Sequence, residues 1–416
     1  MQGIRRRIGV SERTERAHPG KSVRSYIGLS EEGVSVQWRV RFFDYPIQFR
    51  AHEEEYTGVI RDVLSRGAFI LGEDLERFER NFAEFVGSRF AVGVSCCTDA
   101  MLLSLYAAGI GPGDEVITVS HTFVATVEVI RFLGAVPVFV DISDDHNMDV
   151  DLVEQIITPK TKAVLPVQLN GRICSGMDRL VEIARKHGLY VIEDSAQAIG
   201  AAYRGKRAGT FGLAGCFSFY PAKLLGTFGD AGAVVTDDEA FAEKIRMLRN
   251  HGRGRGTDIN LWGLNCRMDN LHAAILDFKL KRLGGRIERR REIARLYHEG
   301  LSGLDELRLP PPPVDDGEHY DVFQNYEIEA ERRDSLMAFL RENGIETVVQ
   351  WGGKAVHQFE ALGLAGCGVA GSGMAGSGVP KTEALFKKAL LLPLYPEMTD
   401  EQVSFVVHKV REFYGG

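Results

Sequence analysis

Residues Val191–Gly200 read VIEDSAQAIG. A short β-branched run ends abruptly in two carboxylates, Glu193 and Asp194, and small residues follow. That is the pattern of a buried strand with acids at its carboxyl end, the rim where open α/β sheets gather their ligands. Working outward, further apolar or β-branched runs predict strands at Phe90–Val94, Glu115–Val119, Pro137–Val140, Ala163–Val167, Tyr190–Glu193, Cys216–Phe219 and Ala233–Thr236. Most are separated by stretches of helical period: Asp99–Ala108, Phe123–Phe132, Ser175–Lys186 and Glu239–Asn250. Strands alternating with helices imply crossover connections and a mostly parallel central sheet flanked by helices, an α/β fold.

Helical patterns at Glu53–Ser65 and Glu73–Val86 precede this alternation; others at Met268–Leu283 and Arg286–Leu301 follow it and lead into a smaller α+β region. The expected organisation is a flexible extension over residues 1–40, a large ligand-binding α/β domain over 41–284 and a small α+β domain over 285–416. Gly366, Gly368 and Gly371 form a GxGxxG pattern inside Gly366–Gly378. Its flanks are more Gly, Ala and Ser rather than a strand and a helix, so it reads as a loop and not a dinucleotide fingerprint.

The chain has 416 residues, 44% of them hydrophobic and 26% charged, which supports a large soluble core. A net charge of -7 argues against nucleic-acid binding through counterion release. Six cysteines without a CxxC suit a reducing compartment. The Arg- and Ser-rich N-terminus lacks the apolar stretch of a signal peptide, and no apolar run reaches membrane-spanning length. A cytoplasmic protein without membrane or nucleic-acid partners is expected. His and Cys show no zinc-ligand spacing, so no metal is expected.

The run FSFYPAKLLG (Phe217–Gly226) sets Lys223 among aromatic and aliphatic residues. Burial lowers a lysine's pKa and makes it nucleophilic near neutral pH; a surface lysine after a strand end is the plain alternative. Asp194 is a candidate partner for a protonated pyridine nitrogen, and a strand-end cap is the alternative. Ser218 offers a hydroxyl to a phosphate. SCCTDAM (Ser95–Met101) opens a helix whose free N–H groups, beside Thr98, suit an anion. Phe123, in HTFVAT (His121–Thr126), is placed to stack on a planar ring or else to fill core. The aromatic, the anion site, the acid and the lysine each follow a different strand of one sheet, and that assembly favours the ligand readings.

These residues resemble one family. The run EDSAQAIGAAYRGKRAGTFGLAGCFSFYPAKLLGTFGDAGAVVT (Glu193–Thr236) is similar to the DegT/DnrJ/EryC1/StrS sugar aminotransferases, within the fold-type I pyridoxal-phosphate (PLP) enzymes. The likeness extends through LRNHGR (Leu248–Arg253), GLNCRMDNLHAAIL (Gly263–Leu276), GAFILGEDLERFERNFAEFVG (Gly67–Gly87) and LLLPLYPEMTDEQ (Leu390–Gln402). The resemblance implies that Lys223 carries the cofactor as a Schiff base and moves the proton, that Asp194 binds the pyridinium nitrogen, and that Gln197 meets the ring hydroxyl. It further implies that Ser218, Cys97 and Thr98 hold the phosphate and that Phe123 stacks on the ring. Asn265 would reach the cofactor of a partner subunit, which makes a homodimer with shared active sites. Arg253, His319 and His357 are candidate substrate contacts, with exposed structural roles as the alternative.

Three features depart from the family pattern. Cys97-Thr98 stands where Gly-Thr is usual, Gly229-Asp230-Ala231-Gly232 replaces a GEGG-like element, and the Gly/Ala-rich insert falls where relatives are shorter. The implied reaction moves an amino group from an amino acid, glutamate, to a nucleotide-linked 3- or 4-keto sugar, with the quoted lysine run closer to the 3-keto branch. Two rivals stand: a PLP-dependent sugar dehydratase, which Lys223 argues against, and a non-catalytic PLP- or sugar-binding regulatory protein.

Overall fold

All seven expected strands form one sheet. In chain order they are β1 (Phe90–Val94), β2 (Glu115–Val119), β3 (Val136–Val140), β4 (Thr161–Val164), β5 (Tyr190–Asp194), β6 (Ala214–Ser218) and β7 (Gly232–Thr236). The computed structural model describes residues 37–254, 256, 258–314, 317–364 and 378–415. Most of the expected extension over 1–40, and all of the Gly-rich stretch 366–378 except Gly378, lie outside the described residues. Val40 is buried, and its N–H donates to the Gly344 carbonyl at 3.0 Å.

The strand order is β1-β7-β6-β5-β4-β2-β3. β6, β5, β4, β2 and β3 pair in parallel, while β7 runs against both β6 and β1. The reason lies in the connection. Parallel neighbours need a long crossover, usually a helix, whereas Phe219–Ala231 contains no helix and turns straight back. That turn carries Lys223. β4 ends at Val164 rather than Val167. Pro166 has no N–H to donate to the ladder, so the strand is interrupted there, and pairing with β5 resumes past it as a bridge between Val167 and Asp194.

The helix Glu73–Val86 shows how sequence builds the layer beneath the site. Acidic residues fill its first turn, where the helix dipole favours them, and Gly87 closes it at φ 78. Leu75, Phe78, Phe82 and Val86 recur at helical spacing and are buried. Phe82 meets Phe217 and Phe219 with ring centroids 5.1 Å apart in each case. Phe217 and Phe219 therefore face this helix, and strand alternation sends Cys216 and Ser218 to the opposite face. There Cys216 Sγ lies 3.6 Å from Ser104 Oγ of the helix Cys97–Ala107. Truncating Phe82 to Ala would cost about 3–5 kcal/mol.

A second, antiparallel sheet has the order β8 (Leu307–Arg308), β9 (Tyr326–Ala330), β10 (Ala389–Leu392). Its core contains Tyr297, Tyr326, Leu336, Leu340, Leu390 and Val406. Among the described residues no helix is long and apolar enough to cross a membrane.

Candidate active site

The two acids that end β5 have different jobs because a strand sends neighbours to opposite faces. Glu193 is fully buried and accepts from Gln168 Nε2 (2.8 Å), Gly209 N (3.0 Å) and Phe211 N (2.7 Å). It ties the 209–211 loop to the sheet. Asp194 faces the helix layer, buried, with Oδ2 accepting from Thr126 Oγ1 at 2.8 Å and Oδ1 from Ala196 N at 3.1 Å. Burial pushes its pKa up, opposed by those two donors and by the charge of Lys223. A hydroxyl has one proton, so Thr126, donating to Asp194, takes its second bond from Thr122 Oγ1 at 2.7 Å.

Lys223 lies in the turn after β6, where its N–H donates to the Tyr220 carbonyl at 2.8 Å. The residue retains some solvent exposure. Its surroundings nevertheless lower its pKa through burial, with Asp194 and Cys97 acting the other way. An amine that is neutral more readily than an ordinary lysine thus stands within electrostatic reach of a buried carboxylate.

The helix Cys97–Ala107 begins beside this pair. Cys96 caps it, its Sγ accepting from Asp99 N at 3.4 Å, and Cys97 Sγ lies 3.9 Å from Asp194 Oδ1. The Cys97 and Thr98 N–H groups have no partner within the helix, as in any first turn. β7 starts flush against them: a Cβ on Gly232 would lie 2.3 Å from the Cys96 carbonyl carbon and 2.6 Å from Cys97 N. Gly232 is also the register partner of Ser218. Ser218 and the helix N-terminus therefore flank one glycine, a cradle with N–H and hydroxyl donors. Its chemistry suits a phosphate.

Phe123 caps the helix Val124–Phe132 and is 54% exposed, which removes the core reading for it. It lies one helical turn before Thr126, hence on the side of the helix that serves Asp194. Gln197 Oε1 accepts from Asn170 N at 2.9 Å and Asn325 Nδ2 at 3.1 Å. Asp194 and Ser218 end β5 and β6, and Lys223, Gln197, Cys97, Thr98 and Phe123 follow the carboxyl ends of β6, β5, β1 and β2.

The remaining candidates stand elsewhere. Asn265 is exposed and bridges Asn250; Arg253, also exposed, bridges Ile259. Both belong to a surface that bears Trp262 (90% exposed), Ile259 and Leu264. His319 is buried in a short ribbon, with Nε2 3.2 Å from Ser175 Oγ and its ring 4.7 Å from Tyr203. His357 sits over the end of β2, with Nδ1 2.7 Å from Ser120 Oγ and Nε2 3.2 Å from Glu383 Oε1. Sequence reasoning missed Thr126, Asn170, Gln324 and Asn325. Only Thr126 left a trace, in the four-residue spacing from Thr122 at a helix start.

The family model for the DegT/DnrJ/EryC1/StrS aminotransferase family matches residues 50–411. A Geobacillus stearothermophilus protein named pleiotropic regulatory protein is 40% identical over 90% of this chain and 98% of its own. The dTDP-3-amino-3,4,6-trideoxy-alpha-D-glucose transaminase of Streptomyces venezuelae is also 40% identical, over 90% of this chain and 96% of its own. Among solved structures, S. venezuelae DesV in complex with a ketimine intermediate superposes with a TM-score of 0.84 and 39% identity, covering 91% of this chain and 99% of that one. The one antiparallel strand in an otherwise parallel sheet, the rim that joins Lys223 to Asp194, and these matches agree: the chain is a fold-type I member of the DegT/DnrJ/EryC1/StrS aminotransferase family.

Proposed function

We propose that this chain uses PLP to transfer an amino group from L-glutamate to a nucleotide-linked keto sugar, with the keto group at C3. The observation that carries the reading is the pairing of a readily neutral Lys223 with the buried, hydroxyl-braced Asp194. The C3 position follows the amine position in the name of the S. venezuelae relative. Bound PLP supplies an electrophilic carbonyl carbon and an electron-accepting ring.

The chain's own residues divide the rest of the work. Lys223 Nζ is the nucleophile that holds the cofactor and, once released, the base and acid at the substrate carbon; a lowered pKa keeps it neutral for that role. Asp194 stays ionised beside a protonated ring nitrogen, because the cation offsets the burial that raises its pKa. Ser218 Oγ and the Cys97 and Thr98 N–H groups bind the phosphate, and Phe123 supplies the apolar face. Gln197 Nε2 donates to the ring oxygen. The exposed surface around Trp262 pairs two copies, so that Asn265 reaches the partner's cofactor. Arg253 and His357 contact substrate, whereas the bonds of His319 support a structural role. Residues 41–284 form the large domain, around the seven-stranded sheet, and 285–416 the small one, around the β8-β9-β10 sheet, with His319–Tyr320 crossing over to pair with Ala202–Tyr203.

The test is a visible spectrum of the protein with PLP, borohydride trapping and peptide mapping, beside Lys223→Ala. The expected result is an adduct on Lys223 and a visible band that bleaches with glutamate, both lost in the variant. No adduct at saturating PLP would leave the regulatory, non-catalytic reading in its place, which the name of the Geobacillus relative keeps in view.

A further inference from the structure

We propose that Gln324 and Asn325 are positioning residues that set the geometry of Lys223 and Gln197 from the side of the small sheet; the inference about Gln197 rests on the function proposed above. These two residues lie in the connector that enters β9, far in sequence from the rim.

The connector is pinned on both sides. Buried Arg290 donates through Nη1 to the carbonyls of Phe323 (2.9 Å), Gln324 (3.1 Å) and Leu394 (3.0 Å). Opposite, Val322 N donates to the Gly171 carbonyl at 2.9 Å. Gly171 has φ +94, and a Cβ there would meet Gln324 N and Phe323 N at 2.6 Å. Phe323 itself is left-handed at φ 48, strain that the surrounding bonds must hold in place.

From this anchor two side chains reach the rim. Buried Gln324 accepts from Leu224 N at 2.8 Å and donates to the Ala222 carbonyl at 2.9 Å, so it grips the main chain on both sides of Lys223. A main-chain N–H only donates and a carbonyl only accepts, so this amide has one permitted orientation. Asn325 Nδ2 donates to Asn170 Oδ1 at 2.8 Å and to Gln197 Oε1 at 3.1 Å. Because Asn170 N takes the same Oε1, both lone pairs of Gln197 are engaged and Nε2 is the end left to face a ligand. A donor on the cofactor's ring oxygen stabilises the oxyanion and lowers the proton affinity of the nitrogen conjugated to it.

Two readouts test this. In the cofactor-loaded enzyme, Asn325→Asp would oppose a carboxylate to two acceptor oxygens, turn Gln197 around and remove its donor from the ring. The pH midpoint of the visible band should rise by about one pH unit, a tenfold change in proton affinity, and by less in Asn325→Ala. For Gln324→Met, hydrogen exchange of a peptide covering Leu224 should quicken about 5- to 10-fold in the cofactor-free protein, with distant peptides unchanged. Midpoints within about 0.2 pH unit of wild type in both Asn325 variants would overturn the role of Asn325 alone. Unchanged exchange at Leu224 would overturn that of Gln324. A wild-type protein without a Lys223-dependent band would overturn the proposed function and the Gln197 inference together.

Discussion

Thr126→Val is nearly isosteric and takes one hydroxyl from beneath Asp194. Thr126 is fully buried and Thr122 is 1% exposed, so water cannot replace the lost bond at 2.8 Å. A hydrogen bond to a charged group is worth about 1.5–3 kcal/mol, against about 0.5–1.5 for a neutral one. With 416 residues and about 2.1 cal/mol/K per residue, the unfolding entropy is about 0.9 kcal/mol/K. The charged bond then corresponds to about 2–3 °C of melting temperature, the neutral one to about 1 °C. The sign of the pH dependence follows from Asp194, whose folded pKa is raised. Between its unfolded and folded values the native state holds the extra proton, so stability falls as pH rises through the folded value. Losing Thr126 raises that folded value further. The gap between variant and wild type should therefore widen as pH rises through the range in which folded Asp194 loses its proton, above the ordinary carboxylate range. Scanning calorimetry of cofactor-free protein across that range, with Thr126→Ser as the variant that keeps the hydroxyl, measures it. A decrement that does not change with pH, or one that Thr126→Ser reproduces in full, would refute the idea that this hydroxyl serves the carboxylate.

Glu327→Gln addresses the buried cluster behind Gln197. Glu327 accepts from His146 Nδ1 at 3.0 Å and Gln350 Nε2 at 2.8 Å. Burial acts against both charges, but the pairing outweighs it, pushing His146 up to about 9 and holding Glu327 at about 2. His146 contributes stability below its unfolded value near 6.5, lost as pH rises to about 9, and Glu327 contributes above its unfolded value near 4.5, lost as pH falls to about 2. The variant should lose most stability between about pH 4.5 and 6.5 and converge on wild type at either extreme; equal loss at all pH values would contradict the ion pair. Trp262→Ser removes the most exposed aromatic side chain of the 259–264 surface. Sedimentation should show self-association weakened tenfold or more, the loss expected of an interface anchor, and an unchanged dimer would place the interface elsewhere.

What the chain determined by itself was local. Seven strands and most helices were legible because burial on both faces writes continuous β-branched runs, and amphipathic helices write a period near 3.6. Lys223, Asp194, Ser218 and Thr98 could be singled out as candidates because each stands at a strand end, in the turn after one, or at a helix start, positions that short-range patterns mark. The direction of β7 was not, since it depends on a connection that lacks a helix. Nor were the bonds that tune the site. Asn325 meets Gln197 across 128 residues and Gln324 meets Leu224 across 100. Nothing within either local window selects those partners. Glu193 and Asp194 sit side by side in sequence with the same charge, and only the packing of the two sheet faces made one a loop anchor and the other the carboxylate that Thr126 braces.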